Sequence, residues 1–203
     1  MLWLQEPHQD KVLIVSMVGR RDVLMYLVAA KSFYYYLQRG CFVVINDGSL
    51  TQRHIQIIKS HIHGIKIINI NDIDNNGYPK KGCWERLLVA VDYAQNNYVV
   101  VLDADTLTLN VVPEIIECVN TNKSFIMSSG FAHYIRPMEE ICNEESLKYK
   151  NQDSDKLHVQ SYVDSNLNKI ENYKRLLYVK GTGGFNSYAR GSISRKIFED
   201  FYK

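Results

Sequence analysis

The sequence predicts an α/β fold in one domain over 1–203, with a mostly parallel sheet and helices on both faces. Short apolar runs rich in β-branched residues alternate with longer segments in which apolar residues recur at helical spacing. Each longer segment can form the right-handed crossover that joins neighbouring parallel strands. Polar loops follow several of the apolar runs, and open α/β sheets carry their ligand sites in such loops.

The regular alternation occupies the first part of the chain. Strands are predicted over residues 12–18, 42–45, 65–70, 98–102 and 125–127. Helices are predicted over residues 22–38, 51–61, 84–95 and 113–119. The pattern loosens over 130–172, where function-specific loops are expected. A strand over 176–179, a glycine-rich segment over 181–184 and a helix over 192–202 are predicted after it.

Composition and charge exclude several classes of protein. Hydrophobic residues make up 46% of the chain and charged residues 23%, which is too apolar for a disordered protein. The formal net charge is +2 and the basic residues are spread out, so no nucleic-acid partner is expected. No apolar stretch is long enough for a transmembrane segment, and no secretory signal is recognised. These features predict a cytoplasmic protein, with the membrane surface as an alternative location.

Asp103-Ala104-Asp105 follows the most apolar predicted strand. Residues two apart on a strand point the same way, so both carboxylates are expected to face one hard cation. Magnesium or manganese typically binds one or two carboxylates together with phosphate oxygens of a substrate. The alternative is a solvated strand end at which one aspartate caps the turn.

Two segments of the chain resemble the GT-A glycosyltransferases. Residues 99–107, Val-Val-Val-Leu-Asp-Ala-Asp-Thr-Leu, resemble the Asp-x-Asp segment of that family, and residues 45–51 are similar to its Asp-Asp-Gly-Ser segment. The resemblance implies a nucleotide-diphosphosugar donor, an acceptor hydroxyl and Mn²⁺ or Mg²⁺ as cofactor. It divides the chain into a donor-binding half over 11–130 and an acceptor-side region over 131–203, which is either minimal or lacks a C-terminal segment. Whether the acceptor is a glycan, a lipid-linked molecule or a protein is left open.

The resemblance also implies roles for individual residues. Asp105 would be the main metal ligand, and Asp103 would lie near the ribose and a metal-bound water, so that both serve catalysis. Asp47 would contact the base or ribose, whereas its neighbour Asn46 stands where the family more commonly has an acidic residue. Arg20, after the first predicted strand, would reach the base or a phosphate; the alternative is an ordinary solvated arginine.

Lys81 and Arg86 lie just before and inside the helix that leads into the Asp-x-Asp strand. Either cation could pair with a donor phosphate. The alternative is a surface cation that pairs with Glu85 or Asp92. Trp84, on the same helix, is expected to pack in the protein rather than to stack on a substrate.

The glycine-rich segment contains Gly183 and Gly184. Glycines permit a close approach of the backbone and can present N–H groups to an anion or a sugar hydroxyl. A flexible connector is the alternative. A comparable Gly-Gly-Phe segment often lines the sugar and acceptor pocket of GT-A enzymes, so the resemblance implies donor binding by both glycines and by Asn186, with Thr182 as a further candidate.

Three rival functions can be weighed. A haloacid-dehalogenase-like phosphatase would use Asp103 as its nucleophile, but Leu107 stands where that family expects Thr or Val. A sugar nucleotidyltransferase would need a glycine-rich basic segment after the first strand, and residues 16–21 lack that glycine content. A non-catalytic nucleotide-sugar-binding module stays open, because no catalytic base is identified.

Two roles of the resembled family are left without a selected residue. A third metal ligand would come from a later His or Asp, and His133 and His158 are candidates. An inverting enzyme would also need a general base on the acceptor hydroxyl. The candidates for that base are acidic residues of the second part of the chain: Asp153, Asp155, Asp164, Glu139 and Glu140.

Overall fold

The computed structural model describes residues 12–75, 77–78, 84–128, 135–152 and 159–196. The chain forms two compact units. The first comprises Met1–Ile126 and Gly183–Lys203, and the second comprises Met127–Thr182. The sequence-based division into a donor-binding half and an acceptor-side region within one domain assigns functions to parts of the chain. That division stays a prediction.

The described residues contain a regular series of strands and helices. The strands are β1 (Val12–Val18), β2 (Cys41–Asn46), β3 (Lys66–Asn69), β4 (Tyr98–Leu102), β5 (Ile126–Ser128), β6 (Arg136–Pro137), β7 (Leu177–Tyr178) and β8 (Gly181–Tyr188). The helices are α1 (Val23–Leu37), α2 (Gln52–His61), α3 (Trp84–Ala94), α4 (Pro113–Thr121), α5 (Met138–Lys148) and α6 (Val159–Ser165). The elements predicted up to residue 127 are confirmed, with ends that differ by a few residues.

The main sheet has six strands in the order β3-β2-β1-β4-β8-β5. Strands β1 to β4 are parallel, and β8 pairs antiparallel with β4. The mostly parallel α/β sheet predicted from the sequence is therefore confirmed. Because β1, β2 and β4 are adjacent and parallel, their carboxyl ends meet at one edge of the sheet.

Helices cover both faces of this sheet, as predicted. On one face, α1 packs through Tyr26 and Phe33 in a buried cluster that also contains Ile58 of α2 and Ile115 of α4. On the other face, α3 packs through a smaller cluster around Val89. The apolar run of β4 is buried along its whole length because it is covered on both sides.

The glycine-rich segment differs most from its predicted structure. Gly181–Tyr188 is neither a loop nor a flexible connector but strand β8, which pairs with β4 from Val99↔Tyr188 to Leu102↔Phe185. Glycine is depleted in strands because it has no side chain to pack, so local sequence disfavours this structure. The long-range pairing with β4 overrides that preference.

The second unit contains helices that the loose sequence pattern did not predict. Helices α5 and α6 pack with short helical turns around Met138, Cys142 and Leu167, and β6 pairs antiparallel with β7. Within this unit, Asp164 is fully buried. Its carboxylate accepts hydrogen bonds from the hydroxyl of Tyr178 (2.7 Å) and from Nζ of Lys180 (2.9 Å).

Candidate functional site

The candidate site lies in the first unit, at the edge where β1, β2 and β4 end. The loops that leave these strands contain Arg20, Asp47 and the Asp103–Asp105 segment, as the sequence predicted. Since β1 lies between β2 and β4, the ends of the outer two strands are two strand spacings, about 10 Å, apart. The topology therefore brings the three polar loops to one edge of the sheet.

The loop after β2 is shaped by the buried side chain of Asn46. Its Oδ1 accepts hydrogen bonds from the backbone N–H groups of Gly48 (3.0 Å) and Leu50 (3.1 Å). Its Nδ2 donates to Oδ1 of Asn69 on the neighbouring strand (3.1 Å). An amide provides both the acceptor and the donor for these contacts, whereas a carboxylate provides acceptors alone. Asn46 therefore serves the loop, and Asp47 is the acidic group exposed beside it.

Asp47 joins the loops that follow β1 and β2. Its Oδ1 accepts hydrogen bonds from the N–H (2.8 Å) and the hydroxyl (2.6 Å) of Ser49. The same hydroxyl oxygen accepts the backbone N–H of Arg20 (2.8 Å), while the side chain of Arg20 is exposed. Asp47 also lies over Gly19, where an added Cβ would be 2.6 Å from Oδ2. A side chain at position 19 would have to displace the carboxylate of Asp47, a close contact that the sequence interpretation missed although Gly19 directly follows the β1 run.

Asp103 is held from several sides just after the end of β4. Its backbone N–H donates to the carbonyl oxygen of Gly184 (2.8 Å), which continues the pairing of β4 with β8. Its carboxylate forms an ion pair with the guanidinium of Arg86, and the other guanidinium nitrogen, Nη2, donates to the carbonyl oxygen of Gly183 (3.1 Å). Arg86 therefore joins β8 to the first aspartate of the Asp-x-Asp segment.

The alternative interpretation of Arg86 as a surface cation does not hold. Its side chain is 10% exposed, while that of Asp103 is 37% exposed. Asp92, one of the two expected partners, instead binds Arg195 through both carboxylate oxygens. The spacing in sequence could not reveal the Arg86–Asp103 pair, because it depends on the docking of α3 against β4.

The two aspartates of the segment have different surroundings. Strand β4 ends at Leu102, so Asp103 and Asp105 do not alternate along a strand as the sequence argument assumed. Asp105 is exposed on a turn, and among the described residues its carboxylate has no hydrogen bond or ion pair. Asp103 is thus a fixed carboxylate and Asp105 an open one.

A cavity of about 200 Å³ lies beside the Arg86–Asp103 pair, between α3 and the β4–β8 strands. Its walls combine a guanidinium, an amide and aromatic rings with small apolar groups: Trp84, Arg86, Leu87, Val101, Gly183, Asn186 and Tyr188. Nδ2 of Asn186 donates to the carbonyl oxygen of Gly183 (3.1 Å). Trp84 stacks on Tyr78, with ring centroids 5.8 Å apart, so it packs as predicted and also lines the cavity.

Tyr188 is a cavity residue that the sequence interpretation missed. Burial raises the pKa of its hydroxyl, and the nearby charge of Arg86 lowers it in part. The phenol therefore faces the cavity as a neutral hydrogen-bonding group near a cation. No local signal marks Tyr188, because its position follows from the register of β8.

The donor set of the segment fits a hard divalent cation in part. Within the described residues, no group of three or more His, Cys, Asp or Glu side chains could hold a metal ion. Two carboxylates with substrate phosphate oxygens are nevertheless a sufficient set for Mg²⁺ or Mn²⁺. Asp105 is open and Asp103 is fixed beside it, so the residues present can hold such an ion together with a diphosphate.

Several predicted residues lie outside the described residues. They are Lys81, the metal-ligand candidates His133 and His158, and the base candidates Asp153 and Asp155. None of the helices that the structure describes combines the length and the apolar content needed to cross a bilayer.

Comparison with known proteins concerns the fold. No family model and no curated protein matches the sequence. The mixed α/β structure, with its six-stranded and mostly parallel sheet, matches the GT-A fold of glycosyltransferases.

Two solved glycosyltransferases illustrate the likeness. One is the galactosyltransferase LgtC in complex with donor and acceptor sugar analogs, with a TM-score of 0.51 and 13% identity over 89% of this chain. The other is the bifunctional glycosyltransferase WbbM, with a TM-score of 0.57 and 12% identity over 98% of this chain. This chain covers 58% and 34% of those two proteins, respectively.

Proposed function

We propose that this chain is a metal-dependent glycosyltransferase, of the hexosyltransferase type, that moves a sugar from a nucleotide-diphosphosugar donor to an acceptor hydroxyl. The observation that carries the proposal is the pair of unlike carboxylates after β4. Asp103 is fixed by Arg86 and by the backbone of Gly184, and Asp105 is open. The GT-A fold supports a transferase over a phosphatase that would use Asp103 as nucleophile.

The loops after β1 and β2 would bind the nucleoside part of the donor. Asp47 would accept hydrogen bonds from the base or ribose through the oxygen that Ser49 does not occupy. The exposed guanidinium of Arg20 would reach the base or a phosphate. The ribose would then lie between these loops and Asp103, within the roughly 10 Å that separates the ends of β2 and β4.

Asp105 and Asp103 would hold Mn²⁺ or Mg²⁺ against the donor diphosphate. When bound, such a cation offsets the negative charge that builds up on a departing nucleoside diphosphate. Arg86 would keep the carboxylate of Asp103 in one orientation, since its two guanidinium nitrogens are fixed to Asp103 and to Gly183. Lys81 stays a predicted donor ligand.

The cavity beside Arg86 would receive the sugar. Asn186 and Tyr188 offer hydrogen-bonding groups, and Trp84 offers an apolar wall, which together suit a ring with hydroxyls on its edge. Gly183, which lines the cavity, would let this ring approach the backbone of β8. Gly184 stays a predicted donor ligand, although the space beside it is filled by the carboxylate of Asp103.

The acceptor and its general base stay open. Asp164 is fully buried and bonded to Tyr178 and Lys180, which disfavours it as a base on an acceptor hydroxyl. Glu139 pairs with Lys174, and Glu140 with Arg136. The acceptor could be a glycan, a lipid-linked molecule or a protein, and the cytoplasmic location stays a prediction.

The test is calorimetric binding of nucleoside diphosphates, with and without Mn²⁺, to the whole chain and to Asp105→Asn. We expect Mn²⁺-dependent binding that weakens at least about tenfold in Asp105→Asn, with an unchanged thermal midpoint because Asp105 is exposed. Glu117→Gln, a matched exposed acid on α4, should bind as the unsubstituted chain does. Equal affinity in Asp105→Asn would overturn the metal assignment. Binding without any turnover or hydrolysis of nucleotide sugars would favour the non-catalytic module.

A further inference from the structure

Tyr188 contributes a hydroxyl without a protein partner to the wall of the cavity beside Arg86. The residue is part-buried, and it packs against the smaller apolar cluster on the α3 face of the sheet. Among the described residues, none forms a hydrogen bond with its hydroxyl. The hydroxyl of Tyr98, in contrast, is hydrogen-bonded to Oγ of Ser187. A phenol that lines a small cavity in this way takes its hydrogen-bond partner from whatever fills the cavity.

The pairing of β8 with β4 fixes how far Tyr188 lies from the carboxylates. Gly184 lies beside Asp103, where its carbonyl oxygen accepts the backbone N–H of that residue (2.8 Å). Tyr188 pairs with Val99, further along β8 and away from the carboxyl end of β4. Four residues of a strand span about 13 Å. The backbone of Tyr188 is therefore at the inner end of the cavity, whereas Gly183 is at the end near Asp103.

The charge of Arg86 orients the Tyr188 hydroxyl. Burial raises the pKa of this hydroxyl and the charge of Arg86 lowers it in part, so the group is neutral and lies within the field of the cation. A cation attracts the lone pairs of a hydroxyl oxygen, and the hydroxyl proton is free to rotate away from it. The hydroxyl therefore offers its proton to an occupant of the cavity.

The next step rests on the proposed function, which places the sugar in this cavity with its anomeric carbon toward the diphosphate. In a pyranose ring C4 lies across from the anomeric carbon, so the group at C4 points toward the inner end of the cavity. The hydroxyl at C2 is next to the anomeric carbon and stays near Asp103. The ring position that Tyr188 faces is thus C4.

We propose that Tyr188 determines which sugar the cavity accepts, by donating a hydrogen bond to a hydroxyl at C4 of the transferred sugar. The neighbouring wall residues Leu87 and Val101 are apolar and offer that hydroxyl no substitute. A site that hydrogen-bonds a substrate hydroxyl rejects the analogue that lacks it, because a polar group of the site is then left unpaired. The donor class is therefore a hexose with a free 4-hydroxyl. Glucose and galactose differ in the direction of this hydroxyl, so Tyr188 should favour one of them.

The experiment compares Tyr188→Phe, which keeps the ring and removes the hydroxyl, with Tyr93→Phe as a matched control. Tyr93 is a part-buried tyrosine that packs on the same apolar cluster and is not a wall residue of the cavity. The probes are the uridine and guanosine diphosphate esters of glucose, galactose and mannose, with Mn²⁺, and the 4-deoxy and 2-deoxy derivatives of the ester that binds best. Calorimetry on the whole chain measures the affinities.

The expected result is a loss of discrimination at one ring position. The unsubstituted chain and Tyr93→Phe should bind the 4-deoxy derivative at least about tenfold more weakly than the parent sugar nucleotide. Tyr188→Phe should bind these two alike, because the partner of the 4-hydroxyl is gone. The 2-deoxy derivative should change the affinity equally in all three proteins. Tyr188→Phe should keep the affinity for the bare nucleoside diphosphate, which leaves the cavity empty, and this shows that the variant is folded.

Two outcomes would overturn this inference and leave the proposed function in place, provided that nucleoside diphosphate binding is normal. One is full discrimination against the 4-deoxy derivative by Tyr188→Phe. The other is a loss of discrimination in that variant at the 2-deoxy derivative instead. Failure of the unsubstituted chain to bind any nucleoside diphosphate would overturn the proposed function and the inference with it.

Discussion

The carboxylate of Asp103 occupies the space that any side chain at position 184 would need. A Cβ added to Gly184 would lie 2.9 Å from Cγ of Asp103 and nearer still to Oδ2. The contact links the two motifs that the sequence analysis considered separately, the Asp-x-Asp segment and the glycine-rich segment. The requirement for glycine here is steric, since Gly184 is not among the glycines with positive φ.

Gly184→Ala should therefore destabilise the protein and weaken donor binding. The methyl group must displace Asp103 from Arg86 or separate β8 from β4, which we expect to cost on the order of 1–3 kcal/mol. Gly183→Ala is the matched control for stability, because a Cβ there meets nothing closer than Nη2 of Arg86 at 4.0 Å. Urea denaturation of the two variants measures the difference. Equal midpoints would show that Asp103 does not need the space above Gly184.

Arg86→Lys tests whether the forked guanidinium is needed. A lysine keeps the charge, but its single nitrogen cannot reach both Asp103 and the carbonyl oxygen of Gly183, which would keep only its hydrogen bond from Asn186. We expect a loss of about 1–2 kcal/mol of stability. Arg195→Lys changes a guanidinium that binds Asp92 at the surface and should cost less. A smaller effect at position 86 than at 195, measured by chemical denaturation, would contradict the central position given to Arg86.

The raised pKa of the Tyr98 hydroxyl predicts a loss of stability at alkaline pH. Burial raises the pKa of its hydroxyl from 10.0 to about 12, although a hydrogen bond with Ser187 lowers it in part. The unfolded chain therefore releases this proton from about pH 10, while the folded chain retains it to about pH 12. The stabilisation is fully present below pH 10 and is lost between these two values.

Tyr98→Phe removes this titration. Its unfolding free energy should decline less steeply between pH 10 and pH 12, by up to about 1.4 kcal/mol per pH unit. The absolute stability at neutral pH should fall, since hydrogen bonds to Ser187 and to the carbonyl oxygen of Lys123 are lost. Denaturation curves collected over this pH range measure both effects. Parallel pH profiles for the two proteins would refute the assignment to Tyr98.

Asp164→Asn should destabilise the second unit. The buried carboxylate accepts hydrogen bonds from Nζ of Lys180 and from the hydroxyl of Tyr178, one on each oxygen. An amide in its place has a single acceptor oxygen. Its NH₂ group would therefore face either the ammonium of Lys180 or the hydroxyl of Tyr178. We expect a cost on the order of 2 kcal/mol, because the ammonium of Lys180 is part-exposed and can be hydrated. Glu139→Gln breaks a surface pair with Lys174 and should have little effect. Hydrogen exchange of α6 would register the change, and equal protection in both variants would contradict it.

The sequence predicted the parallel part of the fold because its signals are local. The β-branched runs of β1 and β4 and the helical spacing of α1 follow from a few neighbouring residues. Strand β8 and the Arg86–Asp103 pair could not be predicted in this way, because both depend on partners far away in sequence. Helix α5 was missed because its sequence, with Glu139 and Glu140 in the first turn, buries few residues and shows weak periodicity.

Polar loops were predicted more reliably than the geometry inside them. Asp47, Asp103 and Asp105 all lie at the expected edge of the sheet, since parallel strands place their carboxyl ends together. The relative exposure of Asp103 and Asp105 was not predicted, because β4 ends at Leu102, before either aspartate. The functional roles of these residues stay predictions until binding is measured.

The insertion of β8 beside β4 has a consequence for synthesis on the ribosome. Until residues 183–188 have left the exit tunnel, β4 is an edge strand with five buried apolar residues and open hydrogen-bonding groups. Such an edge favours pairing between nascent chains. A shortened chain that ends near residue 126 would keep this edge permanently. We therefore expect it to aggregate, so the part of the sheet formed by β1 to β4 cannot be isolated by simple truncation.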